Sequence, residues 1–292
     1  MLLATLAAAL SGCGVQAPPQ PPRLQIPQTI TNLAAAQIGR TVYITFTLPA
    51  LATDGESLDK PVTVNIFRTV TPPGQSPVLP DVSGAPWLTL GPKQLAGFTR
   101  SGHVHYPLQF SLQEIRQSQG STFSFAVIAL THGFRRHPRR SEPSNAARTT
   151  LLDATGPVRN LVAKASQHSL LLAWDPPAET LTGLPPAHLS GYRVYQSATG
   201  KPDSFQLLGK ASSSHFEDDA FQFGRQYFFR VSAVTTIGAA TAESVPSAPV
   251  SLTPRDVFPP PVPTGLTAVN AAGAVDLLWN ASSGRDLAGY NV

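Results

Sequence analysis

The sequence predicts an all-β chain of tandem two-layer sandwiches, and three observations carry that prediction. The first is a pattern met twice in full and once cut short: a Pro-rich lead-in and a Leu, an aromatic thirteen residues later, then a second strand-like stretch. It runs through Pro157, Leu161, Trp174 and Tyr192–Tyr195 in the middle of the chain, and through Pro263, Leu266, Trp279 and Gly289–Val292 at its end. A more diverged first copy uses Pro27, Leu33, Phe46 and Val64–Phe67. Self-similarity with a period of about one hundred residues signifies an array of like domains rather than short solenoid repeats. The second observation is alternation: Tyr227, Phe229, Val231 and Ala233 interleave with Phe228, Arg230 and Ser232, as in a strand with one face in a core and the other wetter. The third is composition. With 29 prolines among 292 residues and only 13% charged side chains, the chain suits Pro-punctuated strand edges better than helices or a disordered acidic tail.

Residues 1–12 are almost wholly apolar and end in Leu10, Ser11 and Gly12 before Cys13, the single cysteine of the chain. This stretch is too short for a transmembrane span and has the length of a secretory apolar region. Leu-Ser-Gly-Cys resembles the lipobox of bacterial lipoproteins. The resemblance implies cleavage before Cys13 and lipid on its sulfur and new amino terminus, hence export, a cell-envelope location and a membrane as partner. Several acyl chains anchor stably where one is marginal. Gly14, in place of the Asp that retains some lipoproteins at the inner membrane, admits an outer-membrane address. No Lys or Arg occurs in residues 1–12, which points to a natural start upstream of Met1. Residues 13–23 read as an extended, semi-rigid tether, because Pro18, Pro19, Pro21 and Pro22 crowd it.

Residues 155–254 hold the fullest copy. Leu170, Leu172 and Trp174 share one strand face, as do Tyr192 and Val194, and Gly224 marks the turn into the Tyr227 strand. Ser244, Pro246, Ser247 and Pro249 fit a last strand at an edge, where the donor missing from proline is tolerated. In this order and spacing, Pro157, Leu161, Trp174, Tyr192–Tyr195 and Phe221 six before Tyr227 resemble a fibronectin type III domain, an immunoglobulin-like β-sandwich. The resemblance implies a core signature of Trp174, Tyr192 and Tyr227, with Trp279 as its equivalent in the last copy. It also implies a tyrosine corner at Phe221 and Tyr227, where the Tyr hydroxyl bonds back to the main chain.

Residues 24–154 carry the same outline with departures. Val42, Ile44 and Phe46 give the second strand, and Phe123, Phe125, Val127 and Ala129 mirror the Tyr227 strand. Ser141, Pro143 and Ser144 mirror Ser244, Pro246 and Ser247. Phe123 has no corner hydroxyl, and the long Thr69–Leu112 stretch, with Pro72, Pro73, Pro80, Pro86 and Pro92 among its prolines, reads as an insertion or an elaborated edge. Residues 255–292 stop after the equivalents of the second and third strands, so Leu277 and Trp279 are expected to lack partners, as in a fragment of a longer protein.

The formal net charge is +4, and the four arginines of Arg135, Arg136, Arg139 and Arg140 equal that excess. Alignment with the middle copy puts this run at a loop tip between the last two strands. Guanidinium groups so close together suit bidentate capture of phosphate, sulfate or carboxylate, so the run reads either as a contact for an anionic surface or as a loop charged for solubility. Nucleic acid is not an expected partner, since there is no aromatic interleaving, recognition helix or basic stripe. His103 and His105 point the same way from a strand, but no third ligand lies near, and no metal site is predicted. Glu217, Asp218 and Asp219 sit before Phe221, where acidic residues serve turns. No nucleophile with its base, paired carboxylates or phosphate loop occurs at telling spacing, and neither catalysis nor a cofactor is predicted.

The expectation is a non-catalytic envelope lipoprotein whose modules act as spacer and binding or adhesion surface, with an anionic polysaccharide or an envelope protein as partner. The alternative is an accessory region of a secreted enzyme whose catalytic domain lies beyond Val292. A third reading is an assembly scaffold that pairs through strand edges.

Overall fold

Alternating apolar residues dictate two stacked layers, because each strand can bury only one of its faces. A computed structural model describes residues 25–132, 137–283 and 287–292. The first module comprises β1 (Ala34–Ile38), β2 (Thr41–Thr47), β3 (Thr63–Thr71), β4 (Leu88–Leu90), α1 (Pro92–Phe98), β5 (Thr99–Arg100), β6 (His103–Gln109), α2 (Leu112–Ser118), β7 (Thr122–His132), β8 (Pro138–Arg140) and β9 (Ala147–Thr150). Its layers are β1-β2-β6-β5 and β4-β3-β7-β8, with β9 also on β7. Between them Val42, Ile44, Phe46, Val64, Ile66, Phe125 and Val127 are buried in one cluster. The long stretch before β7 is an elaborated edge holding β4, both helices and β5. The box of α2, in which Ser111 Oγ accepts from Glu114 N and Glu114 Oε2 accepts from Ser111 N, is written in the sequence as Ser-x-x-Glu.

The second module comprises β10 (Arg159–Ala165), β11 (Leu170–Asp175), β12 (Leu189–Ser197), a 3₁₀ turn (Pro202–Ser204), β13 (Gln206–Ala211), β14 (His215–Asp218), β15 (Tyr227–Ile237), β16 (Ala240–Glu243) and β17 (Val250–Leu252). Here β10-β11-β14 packs on β13-β12-β15-β16 and β17. Trp174 is only 4% exposed and meets Tyr192 edge-on, ring centres 5.1 Å apart. The tyrosine corner is formed: Gln222 N–H donates to the Tyr227 hydroxyl at 2.9 Å. In the first module Phe123 instead packs edge-on against Phe110 at 5.2 Å.

The repeated Ser-x-Pro-Ser has a physical reason. Where proline interrupts the last strand, serine hydroxyls take over the ladder: Ala129 N donates to Ser141 Oγ at 3.0 Å and Val127 N to Ser144 Oγ at 2.9 Å. Ala233 N and Val231 N do the same with Ser244 Oγ and Ser247 Oγ, at 2.9 and 3.1 Å. Both modules therefore satisfy an edge that proline alone would leave open.

The segment joining the modules is buried, unlike most connections: Leu151, Leu152, Asp153, Ala154 and Thr155 are all under 9% exposed. Its polar groups are met one by one. Gln37 Nε2 donates to Leu152 O at 2.8 Å and to Gly39 O at 2.9 Å, while Gln37 Oε1 accepts from Leu152 N at 2.9 Å. Asp153 accepts from the Thr180 and Thr182 hydroxyls and from Thr182 N, and Thr155 N donates to Thr235 Oγ1. Gly39, at φ +56°, then donates its N–H to Glu243 O, and a Cβ there would lie 2.7 Å from the Val245 side chain. With Gln37 opposite Ala242 and Ile38 opposite Glu243 in parallel register, β1 joins β16 and the two modules share one nine-stranded sheet.

Residues 255–292 behave differently. β18 (Thr264–Ala271) and β19 (Ala274–Asn280) form a lone hairpin, on which Leu266 and Leu278 are more than 60% exposed. Half-buried Trp279 lies outside both large cores and packs edge-on on Tyr290 at 5.2 Å.

Removing the Gln37 amide leaves two buried main-chain groups of Leu152 without partners, at about 1–3 kcal/mol each. Gln37→Ala is expected to destabilise the chain by about 3 kcal/mol in urea unfolding and to raise amide exchange at Leu152 well above that of the Phe229 strand. Ser244→Ala, which orphans one buried N–H, is expected to cost about 1–2 kcal/mol by the same measurement.

Candidate functional site

Strand parity decides which residues reach the outer face of the shared sheet. Because Tyr192, Val194, Phe229 and Val231 point inward, Arg193, Tyr195, Arg230 and Ser232 point outward, and Glu243, paired with Val234, joins them. There Arg193 forms an ion pair with Glu243, and the Tyr195 hydroxyl donates to the other carboxylate oxygen at 2.6 Å. Burial, and after it the Glu243 carboxylate that accepts this hydrogen bond, pushes the Tyr195 hydroxyl up to about 12. The Arg230 guanidinium lies 4.2 Å from the Phe205 ring centre and 5.8 Å from that of Tyr195, a stacked cation. Among the described residues Arg230 makes no ion pair, its Nε is buried without a hydrogen-bond partner, and burial lowers its pKa. Ser232, two residues on, is 0% exposed and its hydroxyl also has no partner.

The same face continues onto the first module. Tyr43 stands opposite Pro107, Thr45 opposite His105 and Thr47 opposite His103, all pointing away from the core that holds Val42, Ile44 and Val104. Thr47 Oγ1 and His103 Nδ1 are hydrogen-bonded at 3.0 Å, which fixes the ring. Arg100 on β5 forms an ion pair with Asp203 of the 3₁₀ turn in the second module. Six strand spacings separate β12 from β5, about 29 Å in a flat sheet, so this pairing requires a strongly coiled sheet whose outer face is concave. The hollow is an open cleft of about 670 Å³ walled by Tyr43, Phe98, Arg100, His103, His105 and Asp203.

The residues singled out from sequence fall as follows. Trp174, Tyr192 and Tyr227 lie together in the second core. His103 and His105 share one exposed strand face, and no group of three His, Cys, Asp or Glu converges among the described residues. Asp218 accepts from Ala220 N at 3.2 Å, a turn role. Cys13, Arg135 and Arg136 lie outside the described residues. Arg139 and Arg140 correct the loop-tip expectation: they sit in β8, opposite Thr131 and Leu130, and strand parity sends them to opposite faces, half-buried and exposed. The sequence did not single out Tyr43, Arg100, Asp203, Phe205 or Glu243; only the alternation along β15 hinted that Arg230 and Ser232 share a face.

No protein-family model and no curated protein matches the sequence. Solved structures to which the chain is similar include the FN1–FN3 domains of chicken CNTN1, at 13% identity and TM-score 0.34, over 79% of this chain and 68% of that one. A fibronectin type III domain of the human KIAA0970 protein aligns at 22% identity and TM-score 0.28, over 39% of this chain and 85% of that one. Titin kinase with its flanking domains aligns at 24% identity and TM-score 0.27, where this chain spans 17% of the other's length. The fold itself is all-β, tandem and sandwiched. In the second module a three-strand layer faces one of β13, β12, β15 and the Pro-interrupted β16 and β17, and with the formed tyrosine corner this is the arrangement of a fibronectin type III sandwich.

With its hydroxyl titrating later than the ordinary value near 10, Tyr195 favours the folded chain while neutral. That stability is fully present below pH 10 and is lost as the pH rises toward about 12. Urea unfolding across this window is expected to show a declining slope that flattens in Tyr195→Phe; a slope unchanged in that variant assigns it to other groups.

Proposed function

We propose that this chain is an exported, lipid-anchored and non-catalytic array whose two joined sandwiches act as a rigid spacer and binding surface in the cell envelope. The observation that carries the spacer reading is the buried joint. Gln37, Asp153 and the β1–β16 pairing hold the second module in one orientation, so whatever either module contacts is presented at a set distance and angle. Modules meant to swing independently are better served by exposed, solvated linkers.

Anchoring through Cys13 is supported by the Leu-Ser-Gly-Cys sequence and the Pro-rich residues after it. No helix among the described residues is long and apolar enough to cross a membrane. The arginines of the β7–β8 hairpin, with Arg140 exposed, supply cationic contacts for an anionic envelope polymer or lipid headgroups.

Mass spectrometry of the protein expressed in a bacterial host is expected to find the mature amino terminus at an acylated Cys13, with processing abolished in Cys13→Ser. An unmodified amino terminus elsewhere removes the anchor from this reading. On phosphatidylglycerol vesicles the Arg135, Arg136, Arg139 and Arg140 to Ser variant is expected to lose binding that weakens with salt in the parent; equal, salt-insensitive binding removes the hairpin contact.

A further inference from the structure

The cleft on the concave outer face belongs to neither module alone. Its walls come from β2, α1, β5 and β6 of the first and from the 3₁₀ turn of the second, with the Arg100–Asp203 ion pair joining the two. Asp203 and Phe205 are two residues apart, at most about 7 Å of chain, and Phe205 is the ring on which Arg230 stacks. The cleft and the Arg230 guanidinium are therefore neighbours on one surface. Around Arg230 the outer face holds Arg193 and, opposite it, Lys210, with the Glu243 carboxylate engaged by Arg193 and the Asp203 carboxylate by Arg100. Among the described residues, the buried Arg230 Nε and the fully buried Ser232 hydroxyl without hydrogen-bond partners mark a place where the protein leaves its own hydrogen bonding incomplete, although Glu243 still acts on Arg230 electrostatically.

We infer that this face binds an acidic oligosaccharide, with sugar rings against Tyr43 and Phe98, hydroxyls on His103 and His105, and a carboxylate on Arg230. The class follows from the kinds of group present. Aromatic rings offer flat apolar platforms for the C–H faces of a pyranose, and imidazole, Ser101 and Asp203 on the same cleft wall offer donors and acceptors for its hydroxyls. Stacked arginine recognises a planar carboxylate through two parallel N–H groups. An acidic peptide is the weaker fit, because extended peptides are held by main-chain bonds at a sheet edge, and this cleft lies on a sheet face where only side chains are offered. The inference goes beyond the spacer reading and does not depend on lipid anchoring, so loss of the Cys13 modification leaves it standing.

The test is an NMR titration of the full chain with an oligomannuronate, with cellohexaose as the neutral sugar and with poly-glutamate as the acidic peptide. Expected are shifts at Tyr43, His103, His105 and Arg230 with oligomannuronate, and affinity at least about tenfold weaker for cellohexaose. Arg230→Gln and Tyr43→Ala are each expected to weaken oligomannuronate binding by about tenfold; should Arg230→Gln lose its far-ultraviolet strand signal, the outward-facing Tyr43→Ala and His105→Ala decide. Affinity unchanged in these variants, equal binding of cellohexaose, equal or tighter binding of poly-glutamate, or loss of binding in Arg139→Ser/Arg140→Ser would each overturn the assignment.

Discussion

The arrangement of this molecule depends on one side chain, the amide of Gln37, and on the main chain of Leu152 that it holds. A glutamine in the middle of a strand is ordinarily a solvent-facing residue. Here it is 2% exposed and uses both its oxygen and its nitrogen on a single peptide segment. That satisfies the polar groups of a buried connection, and only a buried connection brings β1 beside β16. Without it the parallel pairing at Gln37–Ala242 and Ile38–Glu243 has too little register of its own, two residue pairs, to hold two sandwiches together.

Sharing a sheet changes what each module can present. A separate sandwich exposes two modest faces; joined through β16 and β1, these modules expose one coiled face that runs from β13 to β5 and folds over toward itself at Arg100 and Asp203. The ion pair between those two exposed side chains contributes little to stability. Its use is geometric, since it shows how closely the far parts of the sheet approach. Polar contacts of the joint work in the same sense. Apolar packing of Leu152, Ala154, Leu181 and Ala242 holds the modules in contact, and the amide and carboxylate hydrogen bonds select one register among the many that apolar surfaces allow.

The sandwich itself was legible from the sequence because its signals are local and periodic. Trp174, Tyr227 and the Ser-x-Pro-Ser stretches each encode their environment within a few residues, and the structure places them as the alternation demanded. The joint was not legible. Gln37 carries no local mark of burial, and Asp153 with its threonine partners reads like an ordinary polar connection until the chain is folded. Helix α2 carries a capping signal in Ser111 and Glu114, but its seven residues are too few to show a helical period. Arg139 and Arg140 are adjacent in sequence but not one cluster in space, since neighbours in a strand point apart.

The cleft shows the same limit in sharper form. His103 and His105 stood out because they are two apart on one strand, yet a pair of histidines specifies neither a metal site nor a sugar site. What gives them chemical context is Tyr43 across the ladder and Asp203 from another module, residues brought near only by the curvature of the shared sheet. That curvature follows from the right-handed twist accumulating over many paired strands, and the number of paired strands follows from the joint. A change that frees the connection at Leu152 therefore acts on the cleft as well, although no atom of Gln37 lines it. Binding on this face and the rigidity of the joint are two readings of one structural cause.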